Sequence, residues 1–226
     1  MVDRTIASGI RTARLRVGPE YRAPVRAAKR GLDIVGSAVL ILLLLPVALL
    51  VTLAVVIDSR GPVFFLQRRV GRGGGEFSLI KFRTMVRDAD AVLKAHLASD
   101  ADLRREWAET QKLREDPRIT RLGGLLRRFS LDELPQLLNV FIGNMSLVGP
   151  RPVLRSELAR FGERAAGMLQ VRPGLTGLWA VSGRNDISYE DRAQLEYRYA
   201  TEWTLRMDAM ILLRTIPAVV RGHGAY

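Results

Sequence analysis

The chain has 226 residues, enough for one sizeable domain with an anchor, or two small domains at most. Its 35 Lys+Arg against 23 Asp+Glu give a formal net charge of +12, which favours polyanionic partners: nucleic acid, an anionic membrane surface or phosphorylated substrates. The absence of cysteine excludes disulfides, thiolate metal sites and Cys nucleophiles, and the two histidines, His96 and His223, are far apart. Catalysis is left to carboxylates, Lys/Arg, hydroxyls and a hard metal ion.

Residues 1–28 form a basic N-terminal segment. An uncharged apolar run follows, Ile34 to Ile57, bracketed by Asp33 and Asp58. As a straight helix those 24 residues would reach roughly 36 Å, enough for a bilayer core of about 30 Å. The run starts too far from the N-terminus and is too long for a cleaved signal peptide. Pro46, near its midpoint, removes a hydrogen bond and clashes with the carbonyl of Leu42, so a bend is expected there. Both flanks are basic: eight Lys/Arg in residues 1–33 and seven in 58–87. Since positive loops prefer the cytoplasm, a helix–break–helix hairpin over residues 29–58 keeps both flanks on one side. A kinked single span and a buried soluble core helix are the competing readings.

Beyond the run, "GPVFFLQRRVGRGGGEFSLIKFRTM" reads as strands near 62–67 and 76–82 joined by a Gly-rich turn. "GRGGGE" lacks the Lys-Ser/Thr of a phosphate loop and opens no helix, so it reads as a hairpin turn. Residues 87–112 suggest a polar surface helix or helix pair. Helices are expected near 121–128, from about 130–133 to 141, over 188–203, and over 205–222, the last amphipathic and suited either to a membrane interface or to the core. The expected fold is α+β and helix-dominated: a monotopic membrane protein with a small β-hairpin, amphipathic interfacial helices, and one catalytic domain over residues 59–226.

"SLDELPQ" places Asp132 beside Glu133. Ser130 and Glu133 have the spacing of a capping box. With Ser130 as cap, Pro135 falls where its missing N–H is needed; with Asp132 as cap, Pro135 fits the first turn. An ionised Asp132 at a helix N-terminus suits a cap and a nucleophile alike. Around it lie Gly- or Pro-flanked basic motifs: "KFRTM" (Lys81, Arg83), "LLRR" (Arg127, Arg128), "GPRP" (Arg151), "VRPG" (Arg172) and "SGRN" (Arg184). Two acids, many fixed cations and little histidine point to phosphoryl chemistry with a divalent ion.

Taken together, "KRGLDIVGS", Pro46, "GPVFFLQRRVG", "KFRTM", "DPRITRLGGLLRRFSLDELPQLLNV", "GNMSLVGPRP", "RPGLTGLWAVSGRN" and "LRTIPAVVRGHGAY" resemble the bacterial sugar transferases that start glycan assembly on a lipid carrier. These are polyprenyl-phosphate hexose-1-phosphate transferases, or monotopic phosphoglycosyl transferases, and the resemblance covers about residues 29–226. It implies a re-entrant helix bent at Pro46, lying at the cytosolic face of the bacterial inner membrane. It implies that Asp132 is the nucleophile toward a UDP-sugar, with UDP-galactose or UDP-glucose favoured, that UMP leaves, and that undecaprenyl phosphate takes the sugar phosphate from a covalent aspartate intermediate. Glu133, with Asp132, would hold Mg²⁺, Mn²⁺ being the alternative. Lys81, Arg83, Arg128 and Arg151 would bind phosphate, and Arg184 would line the nucleotide-sugar site. The sugar and the polymer are left open, as is the oligomeric state, a homo-oligomer included; no nucleic acid is expected. Two other classes compete: an inactive scaffold of a polysaccharide assembly complex, and a basic module for anionic lipid or nucleic acid.

Overall fold

The computed structural model describes residues 23–110, 113, 115–183 and 187–221. The first element is one long helix, α1 (Ala23–Asp58), which runs uninterrupted through Pro46. The break expected at Pro46 therefore does not open a loop between two helices; a proline deletes a single bond from the ladder, which a long apolar helix survives. Ser37 and Thr52 return their hydroxyls to carbonyls one turn back, Asp33 and Ala48, so no side-chain donor is left bare on an apolar surface. Over its most apolar window α1 has a mean hydropathy of 3.2, yet only 11 % of that window is buried by protein. A soluble core helix would be covered. Leu42 and Leu43 instead stand about 70 % exposed, the signature of a lipid-facing surface.

The uncovered helix is nevertheless held to the domain on both sides of Pro46. Before it, Lys29 Nζ donates to Asp208 Oδ2 at 2.5 Å and to the carbonyl of Val148 at 3.0 Å. Arg30 donates to the carbonyls of Val140 and Phe141, both at 2.7 Å. Buried Asp33 accepts from Ser146 Oγ and from the backbone N–H of Leu147, both at 2.9 Å. After Pro46, Val51 and Val55 bury against Phe82 and Leu126.

Strands β1 (Phe64–Val70) and β2 (Glu76–Phe82) form an antiparallel hairpin in which Phe65 faces Lys81 and Arg69 faces Phe77. The connecting glycines make a turn. Gly71 and Gly73 spend their N–H groups on the carbonyls of Gly75 and Leu169, and Gly74 donates to Gly71, so these amides are not free to cradle a phosphate. Two polar helices follow, α2 (Ala89–Ser99) and α3 (Ala101–Thr110). Helix α4 (Arg121–Arg128) is capped by Thr120, whose hydroxyl accepts from Gly123 N at 2.9 Å. Gly123 itself rests on the Thr84 backbone, where any Cβ would collide.

Helix α5 (Gln136–Ile142) docks on β2 through a buried amide. Asn139 accepts from Ile80 N at 3.0 Å and donates to the carbonyl of Ser78 at 2.8 Å, pairing with the open edge of β2 as a third strand would. The core then gains a feature absent from the sequence reading: a parallel pair, β3 (Ser146–Val148) and β4 (Gly174–Thr176). Gly149 and Gly174 lie backbone to backbone with no room for a Cβ on either. The glycines of "GPRP" and "RPGLTG" thus serve close chain packing, not phosphate approach. A short helix α6 (Arg164–Met168), then α7 (Tyr189–Glu202) and α8 (Leu205–Arg221), complete the described chain. Tyr199, Trp203 and Ile211, from α7 to α8, close the main core over Val140, Met145 and Val148.

Candidate active site

Asp132 and Glu133 lie in a single 3₁₀ turn, Leu131–Glu133, between α4 and α5. Ser130 enters that turn left-handed, with φ of 55° and no capping bond from its side chain, and α5 likewise starts without a side-chain cap. The capping readings of Ser130 and Asp132 both give way: Pro135 starts the helix after the turn, so the two carboxylates are spared helix duty.

Both carboxylates converge on Lys81, carried by β2. Its ammonium lies 2.6 Å from Glu133 Oε1 and 3.5 Å from Asp132 Oδ2. The Asn139 clamp supports this geometry, because it fixes the middle of α5 against β2, the strand that carries Lys81 next to its last residue, Phe82. Asp132 is 6 % exposed. Burial pushes its pKa up; the Lys81 charge opposes this, Glu133 adds to it, and Arg127 opposes it again. Arg127, half-buried and hydrogen-bonded through Nε to Thr84 at 3.0 Å, is the arginine of "LLRR" whose charge reaches Asp132. Arg128 is exposed, its guanidinium 5.6 Å from the Phe129 ring.

The expected ring of cations divides. Lys81 stands at the acids and Arg127 beside them. Arg83 instead donates to the carbonyls of Pro62 and Ser59, and so secures the loop between α1 and β1. Arg172 donates to the carbonyl of Gly143 at 2.8 Å, closing the end of α5. Arg151 stands in a second cationic cluster, with Arg69 and Arg192, packed against Trp179. Arg184 lies outside the described residues. Arg69, Arg192 and Glu196 were not singled out from the sequence. One signal was there: Glu196 sits on the buried stripe of α7 with Ala193 and Ala200, and a charge on an apolar stripe asks for a reason.

Among the described residues no group of three metal-ligating side chains forms. Two convergent carboxylates are still a sufficient protein contribution for Mg²⁺, which keeps waters and takes further oxygens from substrate phosphates. Both oxygens already meet one cationic centre, Lys81, so the donor set fits a hard divalent ion.

An acidic pair held by one lysine, in a chain with a long and largely uncovered apolar helix, is the combination of a charged site and a membrane-suited anchor. Residues 24–222 match the model of the family described as bacterial sugar transferase, and the chain belongs to that family. It is 45 % identical over 212 residues to the exopolysaccharide production protein ExoY of Rhizobium meliloti, covering 92 % of this chain and 94 % of that one. It is 45 % identical over 201 residues to the undecaprenyl-phosphate galactose phosphotransferase of Salmonella typhimurium, covering 89 % of this chain but 42 % of that longer protein. A UDP-glucose:undecaprenyl-phosphate glucose-1-phosphate transferase of Caulobacter vibrioides is 41 % identical over 218 residues, which cover 92 % of this chain and 76 % of the relative.

Proposed function

We propose that this protein transfers a hexose-1-phosphate from a UDP-sugar to undecaprenyl phosphate, forming undecaprenyl-diphosphate-sugar and UMP, the first membrane step of exopolysaccharide assembly. The observation that carries the reading is the buried Asp132, paired with Glu133 on Lys81, in a family whose relatives are named for this transfer. UDP-galactose and UDP-glucose are the favoured donors, since both sugars appear among the relatives' names.

In the first displacement an Asp132 carboxylate oxygen attacks the sugar-bearing phosphorus. The bond from that phosphorus to the bridging oxygen breaks, and UMP leaves with the electron pair. In the second, an oxygen of undecaprenyl phosphate attacks the same phosphorus and Asp132 leaves as a carboxylate. No proton need move, which suits a site with no histidine in it. Lys81 and Arg127 hold Asp132 toward its charged form against the cost of burial and face the phosphoryl oxygens with positive charge. Glu133 keeps Lys81 in place at 2.6 Å. Asp132 and Glu133 would hold Mg²⁺, which supplies screening of the phosphate charge when bound.

The helix α1 brings this chemistry to the lipid surface. Its contacts with the domain on both sides of Pro46 support a re-entrant path, in which the helix enters one leaflet and returns to the cytosolic face of the inner membrane. A carrier phosphate lies at headgroup level while its chain lies in lipid, and a shallow anchor sets the site at that depth. The test is UMP release by purified protein in lipid nanodiscs with Mg²⁺, undecaprenyl phosphate and a panel of UDP-sugars. Release with one sugar, lost by a factor of about 10³ or more in Asp132→Asn, is the expected result. A folded protein that releases no UMP with any donor would favour the scaffold reading.

A further inference from the structure

The start of β1 is apolar and bare. Phe64, Phe65 and Leu66 are 48, 49 and 61 % exposed, and because strand side chains alternate, both faces of the strand are apolar there. The strand is also one edge of a two-stranded sheet, and an apolar edge left in water invites aggregation. The two faces lead to different places. Phe64 lies opposite Phe82 and stacks on it, ring centroids 5.5 Å apart, and Phe82 packs with Val51 and Val55 of α1. That face continues the uncovered apolar helix. Phe65 lies opposite Lys81, and directly opposed side chains share a face with Cβ atoms about 5 Å apart. Lys81 holds Glu133 and Asp132, so Phe65 stands at the rim of the carboxylate pair. Polarity changes one residue beyond Leu66, where Gln67, Arg68 and Arg69 follow. The level of Phe65 and Lys81 is therefore where hydrocarbon gives way to charge.

We propose that Phe65 is the docking surface for the polyprenyl chain of the acceptor, at the units next to its phosphate. This rests on the transferase reading above. Such an acceptor joins a charged head directly to a hydrocarbon, and the cross-strand pair offers an ammonium and an aromatic ring side by side. The phosphate meets Lys81, whose side chain and that of Glu133 are only partly buried, while the first isoprene units cover the Phe65 ring. The water-soluble donor has no hydrocarbon to place there. A bilayer acyl chain is held off from its phosphate by the glycerol backbone, so it suits the Phe64 face and not a ring one cross-strand step from the ammonium. Phe65 thus selects the acceptor and leaves the first displacement alone.

The test uses the full chain in nanodiscs, with Phe65→Ser and Phe65→Leu beside wild type. The KM for undecaprenyl phosphate should rise about tenfold to fiftyfold in Phe65→Ser, while donor KM and the carrier-free burst of UMP stay within about twofold. Phe65→Leu, which keeps an apolar side chain, should recover most of the loss. An unchanged carrier KM, or an equal rise in donor KM, overturns the assignment. Thermal shift with farnesyl phosphate in detergent micelles needs no turnover: it should stabilise wild type and hardly move Phe65→Ser. Equal stabilisation of both proteins would sink the docking surface alone. Stabilisation lost in Phe65→Ser, with no UMP released by wild type from any donor, would sink the transferase reading and keep the surface. Flotation with phosphatidylglycerol and phosphatidylethanolamine vesicles that lack the carrier should be the same for both proteins. Weaker flotation of Phe65→Ser would assign the ring to the bilayer and refute the proposal.

Discussion

At the residue scale, two buried carboxylates carry different burdens. Asp132 is offset by Lys81 and Arg127, whereas Glu196 is fully buried and its pKa is pushed up to about 7 from 4.5, chiefly by desolvation. The backbone N–H of Arg151 and the charges of Arg192 and Arg151 only partly oppose that shift. Between pH 4.5 and about 7 the folded protein therefore binds more protons at Glu196 than the unfolded chain does, and its stability falls as pH rises through that window. Glu196→Gln removes the titration while keeping an acceptor for Arg151. Denaturant melts at pH 5 and pH 8 should show the variant gaining on wild type at the higher pH, by an amount on the order of 3 kcal/mol at most. A difference that does not change with pH would contradict the burial argument. The acids at 132 and 133 were legible in the sequence because they stand together beside a proline. Arg192 and Glu196 were not, since their meaning depends on Trp179 and Arg151, which only the fold brings to them.

At the element scale, the candidate site depends on how α5 meets β2. Asn139 satisfies one N–H and one C=O on the strand edge, so Asn139→Leu leaves both unpaired in a buried place. The expected cost is about 2–4 kcal/mol, and UMP release should fall as the Lys81–Glu133 contact loosens. Normal activity with unchanged melting would refute the clamp. Asp33→Ala tests the other joint: it strips the acceptor from Ser146 and from the Leu147 amide, with an expected loss of about 1–3 kcal/mol. Helix α4 appeared where its apolar spacing put it, at Arg121–Arg128, and the hairpin close to its expected span. The parallel pair β3–β4 escaped notice for a physical reason. Each strand has only three residues, too few for a period-2 pattern, and its pairing depends on two distant glycines fitting together.

At the scale of the whole molecule, a basic chain carries one long apolar helix that the rest of the protein leaves largely uncovered. Besides those of α1, exposed apolar side chains stand on α5 (Phe141, Ile142) and on α8 (Leu213, Ile216, Val220), which suits them to a headgroup layer. The chain's lack of cysteine makes topology directly measurable. Single cysteines at Arg26 and Arg60 should both react with a membrane-impermeant reagent from the cytosolic side only; labelling from opposite sides would establish a span and end the re-entrant account. The central claim, that Asp132 carries the sugar phosphate, is tested most directly by intact-protein mass spectrometry. The protein in nanodiscs is given Mg²⁺ and its UDP-sugar with no undecaprenyl phosphate, then quenched. The account predicts a mass gain of one hexose phosphate that maps to the peptide holding Asp132, disappears in Asp132→Asn, and is discharged when undecaprenyl phosphate is added. Turnover without any such adduct, or an adduct that survives Asp132→Asn, would contradict it.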